Sequence, residues 1–112
     1  MKLAYVAGAI TAPTLAEREI NIHKAALVAS QIIDKGYSVI CPHTNSHLID
    51  QIKPREHHEW MAVDFAILAK CDLCVMVHGW EKSRGAVMES QFCVANGIPI
   101  VYDVAFLPEA RK

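Results

Sequence analysis

The chain has 112 residues, 53% of them hydrophobic, a formal net charge of −1 and a pI of about 6.6. That length sets a single domain, 1–112, as the expectation, with enough apolar content for a real core. The near-neutral balance argues against a general electrostatic grip on a nucleic-acid polymer, and no apolar run approaches the roughly 20 residues that span a bilayer. The start, Met1 to Gly8, is too short for a signal peptide and reads as a strand, so a cytoplasmic location is expected.

Residues 2–7 read as the first strand and Gly8 to Pro13 as a loop of small residues. From about Leu15 to Lys35 the apolar residues Ile22, Ala25, Ala26, Ala29, Ile32 and Ile33 recur at helical spacing, and Gly36 is a natural stop. Tyr37 to Cys41 forms a second strand, ended by Pro42. His43 to Arg55 has no clear period and is expected as a polar connection. Glu56 to Lys70 reads as the second helix, Leu73 to Val77 as the third strand, Ser83 to Asn96 as the third helix and Ile98 to Tyr102 as the fourth strand. The tail from Asp103 is expected to hold a short helix or to pack on a partner chain. No internal repeat, low-complexity tract or linker interrupts the pattern.

Strands alternating with helices imply a parallel sheet of four to five strands with helices on both faces. The expected fold is therefore α/β: a small doubly wound, flavodoxin- or Rossmann-like, three-layer sandwich. Ligands in such folds bind at the carboxyl ends of the strands, near the switch in strand order. That edge would collect the Gly8–Thr11, His43–Asn45 and His78–Arg84 loops.

The richest stretch runs from His78 to Glu89. A buried strand, a short polar loop with glycines and a helix opening on Ser83-Arg84-Gly85 make a site for an anion. Glu89 follows Gly85 by one helical turn, and its other helical neighbours are Ala86, Phe92 and Cys93. A ligand can approach it over Gly85, and the helix dipole is expected to keep it ionised. The plain alternative is a surface glutamate. Asp64 has the apolar neighbours Trp60, Met61, Ile67 and Leu68, so burial should raise its pKa and suit it to general acid work. The alternative is a buried aspartate that caps a backbone N–H or pairs with an arginine. Tyr5, between Ala4 and Val6, is either plain core or the hydroxyl partner of a carboxylate nucleophile.

Ser83 suits an N-cap, and with Arg84 it could also contact a phosphate. His43 at a strand end could touch a ligand, and Trp80 could stack on a base or simply close the pocket. His43, His47, His57 and His58 with Cys41 suggest zinc, but the spacing matches no familiar ligand set. Cys71 and Cys74 form a C-x-x-C without a second pair, and with Cys41 and Cys93 they read as buried small hydrophobes.

In order and spacing, these residues resemble the nucleoside 2-deoxyribosyltransferase superfamily over nearly the whole chain. The resemblance runs through Tyr5-Val6-Ala7-Gly8, Gly36-Tyr37-Ser38-Val39, Cys41-Pro42-His43, Asp64 placed eight residues before Asp72, Ser83-x-Gly85-x-x-x-Glu89 and Gly97-Ile98-Pro99-Ile100. The Gly79-Trp80-Glu81-x-Ser83-x-Gly85-Ala86 form is similar to a small branch of that superfamily. The resemblance implies that Glu89 attacks C1′ of a (deoxy)nucleoside to form a glycosyl-enzyme, that Tyr5 orients Glu89 and that Asp64 handles the proton of the leaving base. Transferases of the family tend to have aspartate at the position of Ser83, whereas relatives that hydrolyse nucleoside 5′-monophosphates tend to have serine. Ala9-Ile10-Thr11-Ala12 lacks the glycine- and arginine-rich phosphate loop of those hydrolases, and the tail has no clear version of the transferases' C-terminal asparagine.

The expectation is an N-glycosidase or deoxyribosyltransferase-like enzyme, with catalytic Glu89, Asp64 and Tyr5 and with Gly8, His43, Trp80, Ser83, Arg84 and Gly85 binding substrate. It would need no metal or organic cofactor, would bind a small-molecule nucleoside or nucleotide, and would form a homo-oligomer, a dimer or higher. The competing expectation is a non-catalytic nucleotide-sensing module of the same fold. A cytokinin-type phosphoribohydrolase ranks last, because its Pro-Gly-Gly-x-Gly-Thr signature is absent.

Overall fold

A strand buried on both faces needs apolar residues at every position, and the stretch Leu73–Met76 has them. In a computed structural model, which describes residues 1–10 and 12–110, this strand is the third of four. The strands are β1 (Leu3–Ala7), β2 (Ser38–Ile40), β3 (Leu73–Met76) and β4 (Ile100–Val101), ordered β2-β1-β3-β4 and all parallel. Tyr5 pairs with Cys74 on one side and Ile40 on the other.

The helices are α1 (Leu15–Asp34), α2 (Pro42–Ile52), α3 (His57–Leu68) and α4 (Arg84–Asn96). Their starts follow from local chemistry. Thr14 caps α1 by accepting from the Glu17 N–H, and Ser83 caps α4 by accepting from the Ala86 N–H. Glu56 and Glu59 form a reciprocal capping box at the head of α3. Gly97 ends α4 with φ +68°, a conformation that asparagine or glycine adopts and most residues avoid.

The strand alternation of β1 divides the core. Ala4 and Val6 join Leu73, Val75 and Val77 against Ala25, Ala29 and Ile32 of α1. Tyr5 and Ala7 join Cys74 and Met76 against Leu68 of α3 and Ala86 and Cys93 of α4. Phe65 and Phe92 stack with centroids 4.8 Å apart and lock α3 to α4. The expected three-layer α/β sandwich is therefore present, with four strands.

One segment departs from expectation, and the tail follows one of its two expected courses. Residues 43–55, read as a polar connection, mostly form α2. Pro42 opens this helix at its first turn, where a missing N–H does no harm. Its buried residues are Pro42 and His43, while Leu48 and Ile52 are exposed at 66% and 87%. Its pattern is inverted, so apolar periodicity could not reveal a core-facing helix. The tail forms a single 3-10 turn, Val104–Phe106, and packs on its own chain. Lys35 Nζ donates to the carbonyls of Val104 and Leu107, Tyr37 Oη donates to Pro108 O (2.9 Å), and Ala110 N donates to Lys35 O (2.8 Å).

No described helix is long and apolar enough to cross a membrane.

Candidate active site

The chain leaves β1 toward β2 on one side and later crosses to β3 on the other, so the switch point lies between β1 and β3. A cleft of about 290 Å³ opens there. Gly8 shapes its base, because a Cβ at that position would stand 2.7 Å from Val77 Cβ. Only glycine lets the loop after β1 pass this close to the end of β3.

Glu89 lies on the second turn of α4, lines the cleft and is 6% exposed. The hydroxyl of fully buried Tyr5 donates to Glu89 Oε2 across the sheet–helix boundary. Tyr5 is thus core packing whose hydroxyl is satisfied on a carboxyl. Burial pushes the Tyr5 hydroxyl well above its ordinary range, aided by the neighbouring Glu89 and Asp64 carboxyls, so it acts only as a donor. Burial also pushes Glu89 up to about 8, against the lowering effect of the Tyr5 hydrogen bond and with Asp64 adding to the rise. The expectation that the helix dipole would keep Glu89 ionised is corrected here. The dipole acts over the first turn, whereas Glu89 lies beyond it among Tyr5, Ala86 and Cys93.

Asp64, half-buried on α3, lines the same cleft, and burial pushes it up to about 6. Among the described residues no hydrogen bond or ion pair reaches it, so neither a capping role nor an arginine partner accounts for it. The Phe65–Phe92 stack, adjacent in sequence to Asp64 and one turn past Glu89, holds the two carboxyl-bearing helices face to face.

Gly85, Ser83 and His43 also line the cleft. A Cβ on Gly85 would rest 3.5 Å from His57 Cε1 and Met61 Sδ, so the fold tolerates a side chain here, and the glycine leaves that space to a ligand. His43 is 4% exposed, and its Nε2 contacts the Ala9 carbonyl at 2.9 Å. Burial lowers its pKa and keeps it neutral.

Trp80 and Arg84, expected at the site, do not line the cleft. Gly79, at φ +89°, turns the chain so that Trp80 starts a 3-10 turn (Trp80–Lys82) and packs 5.8 Å from the Tyr102 ring beside β4. Arg84 opens α4 and is exposed. The Gly8–Thr11 loop is described except for Thr11, which lies outside the described residues.

Sequence reasoning missed Arg18, Asp50, Arg55, His57 and Trp60, all of which line the cleft. Two of them, Asp50 and Arg55, sit on α2 or in the segment after it. Trp60 was noted only as a neighbour of Asp64. Pro42 as the opening residue of a helix was the available signal.

Among the described residues no three or more His, Cys, Asp or Glu side chains gather as a metal site requires, and the four cysteines are free and buried. The Cys71 thiol donates to the Ile67 carbonyl at 3.4 Å.

The family model described as "Domain of unknown function (DUF4406)" matches residues 1–102. The chain belongs to this family. Among curated proteins none matches it significantly. The matched span includes every residue that lines the cleft.

Proposed function

We propose that this DUF4406 protein is an enzyme of the N-glycosidic bond, related to nucleoside 2-deoxyribosyltransferases, which cleaves or transfers at C1′ of a (deoxy)nucleoside or nucleoside 5′-monophosphate. The observation that carries the reading is the Tyr5 hydroxyl donating to a buried Glu89 carboxyl in a cleft that also holds Asp64, which has no partner among the described residues. One carboxyl oriented by a phenol and a second with no structural task is the pair that displacement at an anomeric carbon requires.

Glu89 oxygen bonds to C1′ as the C1′–N bond breaks, and its electron pair leaves with the base. Asp64 gives its proton to the base nitrogen. Asp64 then takes a proton from water, or from an acceptor base, as that group bonds to C1′ and releases Glu89. The two carboxyls, raised to about 8 and about 6, share one proton near neutral pH. Burial of Glu89 favours its protonated form. Positive charge developing at C1′ favours ionised Glu89, and the proton then belongs on Asp64. Ser83, Gly85, Gly8 and His43 line the sugar and base space.

The burial that favours a protonated Glu89 also favours a second reading, a nucleotide-sensing module in which a neutral Glu89 binds and does not attack. Exposed Leu15, Ile20, Leu27 and Ile33 on α1 support a homo-oligomer.

The test is base release from a panel of nucleosides and 5′-monophosphates, with and without a free acceptor base, beside Glu89→Ala. Release or exchange that vanishes in the variant supports the enzyme and sorts hydrolase from transferase. Binding without release moves the assignment to the sensing module.

A further inference from the structure

The mouth of the cleft is built around one carboxylate. Asp50, near the end of α2, accepts from Trp60 Nε1 (2.7 Å) and from the Arg55 backbone N–H (3.1 Å) on Oδ1, and its Oδ2 stands 3.6 Å from Arg18 Nη2. It thereby draws together α1, the α2–α3 connection and α3. The Trp60 and Arg55 hydrogen bonds, with Arg18 nearby, hold Asp50 below the usual carboxylate range, so it is ionised at neutral pH.

This arrangement leaves donors in excess. Asp50 faces one guanidinium, that of Arg18, and among the described residues the Arg55 guanidinium makes no ion pair with a carboxylate. The Arg18 contact, at 3.6 Å, is longer than a hydrogen bond, and among the described residues its buried Nε–H meets no acceptor. Arg55 donates from Nη1 to the Lys53 carbonyl, and its guanidinium carbon lies 5.8 Å from the centroid of the Trp60 ring. Both arginines line the cleft that holds Glu89. At the start of α4, by contrast, Ser83 Oγ already accepts from the Ala86 N–H and Arg84 lies outside the cleft.

We infer that Arg18 and Arg55, arranged by Asp50, form an anion subsite at the mouth of the cleft, and that the substrate presents a phosphate monoester to it; this rests on the reading of the cleft as a nucleoside site. A phosphate monoester brings three acceptor oxygens and matches guanidinium forks. Asp50 is a positioning residue in this arrangement and touches no substrate.

The experiment is calorimetric binding of nucleosides, their 5′-monophosphates and inorganic phosphate, in a Glu89→Ala background that prevents turnover. The monophosphate should bind about 10–100-fold tighter than its nucleoside, as one or two charge-assisted hydrogen bonds provide. Arg18→Ala and Arg55→Ala should each shrink that ratio and the double variant remove it, with nucleoside affinity unchanged as the control for folding. Arg18→Lys keeps the charge but loses the fork and should fall between. Arg84→Ala should leave the ratio intact.

A ratio near one, or a ratio that survives the double variant, overturns the inference even if base release is observed. Inorganic phosphate binding without a monophosphate preference overturns it too, since the site then holds a free anion. A preserved ratio in a protein that releases no base upholds the subsite and rejects the enzyme. No binding by any ligand rejects both.

Discussion

The two faces of the sheet are built from the same four strands and do different work. Against α1 the contacts are Ala4, Val6, Leu73 and Val75 on Ala25, Ala29 and Ile32, a layer with no buried charge. Against α3 and α4 the layer is Tyr5, Ala7, Cys74 and Met76, and Glu89 is buried beside it. A single step along β1 separates the two. The comparison teaches that chemistry is confined to one face. A carboxyl raised toward neutral pH needs desolvation and one donor, and only the α4 face supplies both.

The comparison breaks most sharply at Glu89. Glu89→Gln should lower base release by roughly 10³-fold or more, since it removes the attacking oxygen. The same variant should keep its thermal stability near pH 7, where Glu89 already carries a proton. Folded Glu89 titrates near 8, above its ordinary value of 4.5, so the folded state holds the proton longer than the unfolded chain. Stability from this group is fully present below the unfolded value and is lost as pH rises through the folded one. Asp64 acts in the same direction between 3.8 and about 6. Melting temperatures of the parent should therefore fall from about pH 5 to pH 8, and Glu89→Gln should flatten that slope. An unchanged slope in the variant would mean Glu89 is not the buried acid.

Tyr5→Phe removes the only described donor to Glu89. Base release should drop about 10–100-fold, in line with losing a charge-assisted hydrogen bond. The pH–rate profile should be bell-shaped with limbs near 6 and 8, macroscopic values that belong to the carboxyl pair. The variant should move the alkaline limb upward, because the Tyr5 hydrogen bond is the influence that lowers Glu89. A purely structural tyrosine would leave both limbs in place.

On the other face, Ile32→Ala should destabilise by about 2–5 kcal/mol in chemical denaturation, because Ile32 is fully buried. Its pH–rate profile should not move. A shifted profile would show that the faces are coupled. The smallest effect is expected at Gly85→Ala, which the fold accommodates at ordinary contact distances. KM should rise several-fold with the melting temperature unchanged, because the added methyl occupies ligand space between His57 and Met61.

Much of this is legible in the sequence. The strands at Leu3–Ala7 and Leu73–Met76 and the helices at Leu15–Asp34, His57–Leu68 and Arg84–Asn96 lie where apolar period, caps and glycines put them. Asp64 and Glu89 stood out as carboxyls in apolar company, and both line the cleft. α2 was not legible, because its apolar residues face outward and its buried residues are a proline and a histidine. Asp50 and Arg55, which depend on that helix, were lost with it. Trp80 and Arg84 were misplaced because motif proximity does not report which way a turn aims a side chain.

The sequence by itself determined the order of the strands and of α1, α3 and α4, hence the parallel sheet, and singled out the two carboxyls, because periodicity and local capping are short-range properties. Tertiary structure decided the rest: which carboxyl titrates higher, which arginines reach the cleft and where α2 turns its apolar face. Desolvation and charge excess depend on what packs around a group, and the groups concerned lie far apart along the chain, with Tyr5 beside Glu89 and Arg18 beside Asp50.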